Sequence, residues 1–151
     1  MKLLKAAVLA GTLVGGLTVS GGAGAGEDNV RVYLYRTLFD DPTFVAKLPA
    51  GVKYYFGDQP VTVKSQIGPT GSRRLRPTPA RKTPLSVACR QLAGDGLISM
   101  GKEALAKGGN AVIGIESVVQ DQVMKSSDRY QCGVGLQMMK VSFNGVVAVV
   151  E

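Results

Sequence analysis

The stretch Thr83–Val119 limits what this chain can fold into more than any other, because it reads as one long helix followed by one core strand. Thr83 before Pro84 is a helix start: the Thr side chain can cap a free N–H, and Pro at the first helical position loses nothing. Leu85, Ala88, Cys89, Leu92, Met100 and Ala104 then recur near helical spacing and make one face apolar. Gly108-Gly109 supplies the stop, since Gly adopts the left-handed backbone that closes a helix. Gly94, Gly96 and Gly101 lie inside it, each costing about 1 kcal/mol relative to Ala. A helix so weakened needs a sheet to lie on, and close approach to that sheet is one reason to carry glycines. In the strand Ala111–Val119, Ile113, Ile115 and Val119 lie on one side, with Val112, Gly114, Glu116 and Val118 on the other. Both sides are largely apolar, which places it centrally in a sheet.

The length of 151 residues fits one domain. Residues 1–25 stand apart from it. Lys2 and Lys5 precede the apolar run Ala6–Val19, and Ala23-Gly24-Ala25 is a small-x-small cleavage site. This is the pattern of a secretory signal peptide, too short for a membrane span. We therefore expect a mature chain starting at Gly26, exported to the periplasm, with no transmembrane segment and no Cys at the cleavage site to take a lipid. Beyond residue 25 there are 16 basic and 11 acidic residues, a net charge of +5 that suits an anionic partner or simple solubility. Cys89 and Cys132 are the two cysteines of the chain, and export predicts that they form one disulfide. Cys89 falls on the apolar helix face. Cys132 falls on the same side of an alternating strand as Tyr130, Val134, Leu136 and Met138, so both sulfurs should meet between helix and sheet.

The other elements follow from alternation and turn residues. Val30–Arg36 reads as a strand, Asp41-Pro42 as the cap and first turn of a short helix reaching Leu48, and Val52–Phe56 as a second strand. Val61–Ile67 reads as its hairpin partner. Residues 68–82 carry Pro69, Pro77, Pro79, Gly68 and Gly71 together with Arg73, Arg74, Arg76, Arg81 and Lys82, which reads as a basic loop. Those five cations are the candidate anion-binding residues, for an envelope protein or an anionic envelope component. Aromatic residues do not interleave them, so no nucleic-acid partner is expected. Arg129–Phe143 reads as one long strand, with Asn144-Gly145 as a tight turn into Val146–Val150. The sum is an α+β fold: a small antiparallel or mixed sheet, one long helix across one face and a short N-terminal helix.

The chemistry is sparse. Gly96–Glu103 fits a phosphate loop up to its last position, where Glu103 stands in place of the Ser or Thr that holds magnesium. The chain has no His, which removes Ser-His-Asp and Cys-His catalysis and the commonest metal ligand. The acids Asp40, Asp41, Glu116, Asp121 and Asp128 are scattered, and only a meeting in space, such as Glu116 with Asp58, would make a catalytic pair. Tyr33, Tyr35, Tyr54, Tyr55 and Tyr130 read as core or sheet-face residues.

The run ALAKGGNAVIGI at Ala104–Ile115 resembles a signature of the YbjQ-like family and of the related Rcs stress-sensor lipoprotein. A closer likeness is to small exported proteins often labelled excinuclease ATPase subunit. Those share a VKYYFG-like strand, here Val52–Gly57, an early helix Cys, here Cys89, the GGNAV turn at Gly108–Val112 and a YxC strand, here Tyr130–Cys132. The resemblance implies a compact sheet with a long helix across one face. It does not carry an ATPase, since the complete phosphate loop and zinc-finger cysteines are missing. The expectation is a non-enzymatic periplasmic binding or envelope stress-sensing domain without cofactor or metal. The alternatives from other classes are a metal-binding protein of the YbjQ-like type and a hydrolase using paired carboxylates.

Overall fold

The structure, a computed structural model, describes residues 29–80 and 82–151. The expected signal peptide and the expected start at Gly26 lie outside the described residues, as does Arg81. In chain order the elements are β1 (Asn29–Leu34), α1 (Arg36–Phe39), α2 (Pro42–Val45), β2 (Lys53–Phe56), β3 (Val63–Pro77), α3 (Leu85–Ala106), β4 (Ala111–Val119), β5 (Gln122–Met124), β6 (Arg129–Val134) and β7 (Met138–Val150). The class is α+β with a mixed sheet, as expected, but the sheet has seven strands and the long helix has two short companions among the described residues. β7 is the spine. One of its edges pairs with β3 along its whole length, and the other pairs first with β6 and then with β4. β1 extends the sheet from β6, β5 pairs with β4, and β2 joins β4 in parallel.

Helix α3 lies across β3 and β7 and buries Ala88, Cys89, Leu92, Leu97, Met100 and Ala104 against Val112, Ile115, Tyr130, Val141, Phe143 and Val147. Gly96 allows the approach to β3 and β7, and Gly101 makes room for Pro49 and for Tyr54 of β2. A Cβ at Gly96 would stand 2.7 Å from Ser72 Oγ, and one at Gly101 would stand 3.1 Å from Pro49 Cγ and collide with the Tyr54 hydroxyl. The helix opens one residue later than read: Pro84 is the cap residue and Leu85 the first helical one. It closes as expected. Gly108 is left-handed (φ +81), its N–H reaches Leu105 O at 3.0 Å, and Gly109 N–H reaches Ala104 O at 2.8 Å. That double bond pattern satisfies two carbonyls the helix end would leave bare. Asp41 caps α2 as expected, although α2 ends at Val45 rather than Leu48.

The basic loop at 68–82 is corrected: up to Pro77 it is the second half of the long strand β3. The Val61–Ile67 hairpin fails with it, because β3 pairs with β7 while β2 pairs with β4. β3 is an edge strand. Prolines, glycines and cations are what such an edge tolerates and uses against stray pairing, so its composition imitates a loop. Asn144-Gly145 is not a hairpin turn either but lies within β7. Gly145 is needed there for room, since a Cβ would meet Val112 Cγ1 at 3.1 Å and Met100 Cε at 3.2 Å. The actual turn is Gly135–Gln137, where Gly135 N–H donates to Met138 O at 2.9 Å. That turn breaks the predicted long strand and shifts its alternation, so Met139, Val141 and Phe143 face the helix while Leu136 and Met138 are exposed. A second slip occurs in β4. The bulge at Gly114 (φ +60) lets Val112 and Ile115 share the helix side, with Ile113 opposite.

Cys89 and Cys132 are joined, with Cα atoms 6.0 Å apart and a sequence separation of 43, and neither is exposed. The bond ties the first half of α3 to β6. Replacing both cysteines by Ala should lower the unfolding free energy by about 4 kcal/mol on the chain-entropy model, measured by denaturant titration. Burial holds the phenols of Tyr35 and Tyr130 well above their ordinary range, and that of Tyr54 at about 12. A raised phenol contributes stability that is complete below its unfolded value and is lost as pH rises toward the folded one. Stability should therefore fall above about pH 10, with tyrosinate absorbance and loss of near-ultraviolet dichroism rising together.

Candidate functional site

The five candidate cations are not one patch. Strand alternation puts Arg73 on the sheet face away from α3, opposite Ser142, and puts Arg74 and Arg76 on the helix side, opposite Val141 and Met139. Lys82 is exposed in the segment before α3. Arg76 points at α3, where its Nη1 donates to Gln91 Oε1 at 2.6 Å. This bond aims the guanidinium at the flank of the helix.

That flank forms a cleft of about 320 Å³ between α2, α3 and the end of β3. Val87, Arg90, Gln91, Gly94 and Ile98 recur along α3 at helical spacing and make one wall. Phe44 of α2 lies directly on Gly94, where a Cβ would stand 2.9 Å from the ring. Lys47, Arg76 and Arg90 bring three cations to the cleft, against Asp41 and Asp95. Asp41 is already engaged. It accepts from Thr43 N–H at 2.9 Å and from Thr43 Oγ1 at 2.6 Å. The Thr43 hydroxyl, then its amide, hold the Asp41 carboxyl below its ordinary range, with Arg90 adding a smaller pull. The volume is near the lower end of the usual range of about 300–1,000 Å³ for small-ligand sites. Sequence reasoning missed Lys47, Arg90, Gln91 and Asp95. Helical spacing from Val87 could have placed the α3 members on one flank, but nothing local ties them to Arg76 or Lys47.

The other candidates are placed elsewhere. The phosphate-loop-like run Gly96–Glu103 lies wholly within α3. Glu103 there accepts from Thr70 Oγ1 at 2.5 Å and pairs with Lys107 at 2.6 Å, which together hold its carboxyl low. Asp58 pairs with Lys125 at 2.9 Å on the surface. Among the described residues no group of three or more His, Cys, Asp or Glu side chains is close enough to hold a metal ion, and no helix is long and apolar enough to cross a membrane. A larger cleft of about 630 Å³ is lined by Tyr35, Phe39 and Phe56. Two of its polar groups are engaged, Gln59 Oε1 accepting from Phe56 N–H at 2.7 Å and Asp128 Oδ1 from Ser126 Oγ at 2.8 Å, while the buried Tyr35 hydroxyl has no hydrogen-bond partner among the described residues.

No protein-family model matches the chain, and the comparison with curated proteins finds no match. A distant structural match is the crystal structure of a protein of unknown function from Pediococcus pentosaceus ATCC 25745 that belongs to the DUF74 family. The two are 11% identical over 67% of this chain and 99% of the other, with a TM-score of 0.49.

The Asp41 cap can be tested alone. In Thr43→Val the carboxyl should titrate nearer its ordinary range, read by carboxyl carbon NMR. A depressed carboxylate stabilises above its unfolded value and stops doing so as pH falls through its folded one. The variant should therefore lose less stability than the parent between neutral pH and strong acid.

Proposed function

We propose that the protein is a non-enzymatic binding domain of the periplasm that holds an anionic group of an envelope protein or envelope component in the cleft beside α3. The observation that carries this is the meeting of Arg76, Arg90 and Lys47, with Arg76 aimed by Gln91. Arg presents a planar fork of donors matched to carboxylate and phosphate oxygens, and Lys adds a point charge. Asp41 is held charged, so it has no proton to give near neutral pH, which suits binding better than acid catalysis. The Cys89–Cys132 bond is consistent with an oxidising compartment, and the N-terminal export pattern supports the same reading. The likeness of Ala104–Ile115 to the YbjQ-like and Rcs-sensor group supports a role in envelope sensing.

Inorganic phosphate is the simplest probe. In amide NMR spectra it should shift Lys47, Arg76 and Arg90 together and saturably. Removing one charge-assisted contact costs about 1.5–3 kcal/mol, so Arg76→Ala should weaken binding roughly ten- to hundredfold. Arg73→Ala, on the opposite sheet face, should leave it unchanged. Absent shifts, or equal losses in both variants, would sink the proposal.

A further inference from the structure

The sheet has two faces, and only one is covered by α3. On the other, Ala111, Ile113, Ala148 and Val150 are buried beneath Tyr55, Val61, Val63 and Val146 at one end. Among the described residues, no helix lies over the opposite end. Register places Val30 beside Gly133, Gly133 beside Lys140, and Lys140 beside Leu75, in one row across β1, β6, β7 and β3. Residues directly opposite one another on paired strands share a face, so Val32, Met138 and Arg73 belong to the same surface. Here Val30 is 43% exposed, Val32 45%, Leu75 50% and Met138 44%. Leu136, at the tip of the adjoining β6–β7 turn, is 98% exposed. Five large aliphatic side chains in one neighbourhood are more than the scattered apolar exposure normal for a surface.

Charge decides the occupant. Arg73 and Lys140 stand among these aliphatic residues. Glu116, an acid on this face, lies on β4 opposite Asn144, one step of the alternation past Ser142, so two cations stand there with one acid. A second copy docked about a twofold axis would bring the cations against their own kind. An anionic surface would meet them with opposite charge and receive the aliphatic side chains in its apolar layer. An exposed aliphatic tip flanked by cations is how proteins that lie on membranes make contact.

We propose that this bare sheet face is a peripheral membrane-docking surface for anionic phospholipid, with Leu136 as the inserting tip and Arg73 and Lys140 on the headgroups. It is on the side away from the cleft, so the two sites succeed or fail independently. Vesicles of phosphatidylglycerol and phosphatidylethanolamine should carry the protein in flotation, less so as salt rises, and vesicles of phosphatidylcholine should not. Leu136→Asp should weaken this binding at least tenfold while keeping the parent's amide spectrum away from the turn. Arg73→Glu with Lys140→Glu should do the same on anionic vesicles. No flotation, or equal flotation with both lipids, overturns the proposal. So does a concentration-dependent dimer, seen by light scattering, that Leu136→Asp abolishes, since the face would then belong to a second copy.

Discussion

The close seating of α3 on β3 and β7 is the constraint from which the rest of this structure follows. It depends on missing side chains as much as on present ones. Gly96 on the helix and Gly145 on β7 stand where a Cβ would meet the facing element at 3.2 Å or less, while Gly94 and Gly101 make the same room for Phe44 of α2 and Tyr54 of β2. Three glycines within a helix cost about 3 kcal/mol of intrinsic helix stability. The cross-link from Cys89 to Cys132 offsets a similar amount, about 4 kcal/mol, by narrowing the unfolded ensemble. A helix poorly suited to exist alone is thus held by what lies beneath it. The seating also fixes which side chains on its flank look outward, among them Arg90 and Gln91.

Much of this fold could be read from the residues, and the exceptions share a cause. Helical spacing marked the buried face of α3, Gly108 marked its end, and Asp41 marked the α2 cap, because each signal acts within one or two turns of chain. The disulfide was legible because each sulfur's facing follows from its own element's period. β3 was not, since an edge strand and a loop draw on the same prolines, glycines and cations. Asn144-Gly145 misled for a related reason. Gly there serves space against Met100 and Val112, which come from elsewhere in the chain. Parity was the other casualty: the bulge at Gly114 and the turn at Gly135–Gln137 each shift alternation, and no local pattern announces either.

The candidate site suffered more from the same limits. A run of cations along a chain becomes a patch only if the chain does not alternate. Once Arg73–Arg76 is a strand, its charges divide between two surfaces. Arg76 then joins Lys47 and Arg90, which belong to separate elements, and only the tertiary fold assembles them. Asp41, by contrast, was read correctly as a cap, and it is the same capping bonds from Thr43 that set its charge in the cleft.

β7 connects these threads. It pairs with three strands, so its alternation is imposed on β3, β6 and β4 together. Residues of β7 opposite Arg74 and Arg76 point into the helix interface, and those opposite Arg73 and Leu75 point away from it. A one-residue slip of β7 would exchange the two sets, burying Lys140 and Ser142 under α3 and exposing Met139, Val141 and Phe143. The hydrophobic loss of such a slip, about 1.5–3 kcal/mol for each large side chain, is what pins the register. The polar cleft and the bare aliphatic face are therefore two consequences of one register, held by the core between them.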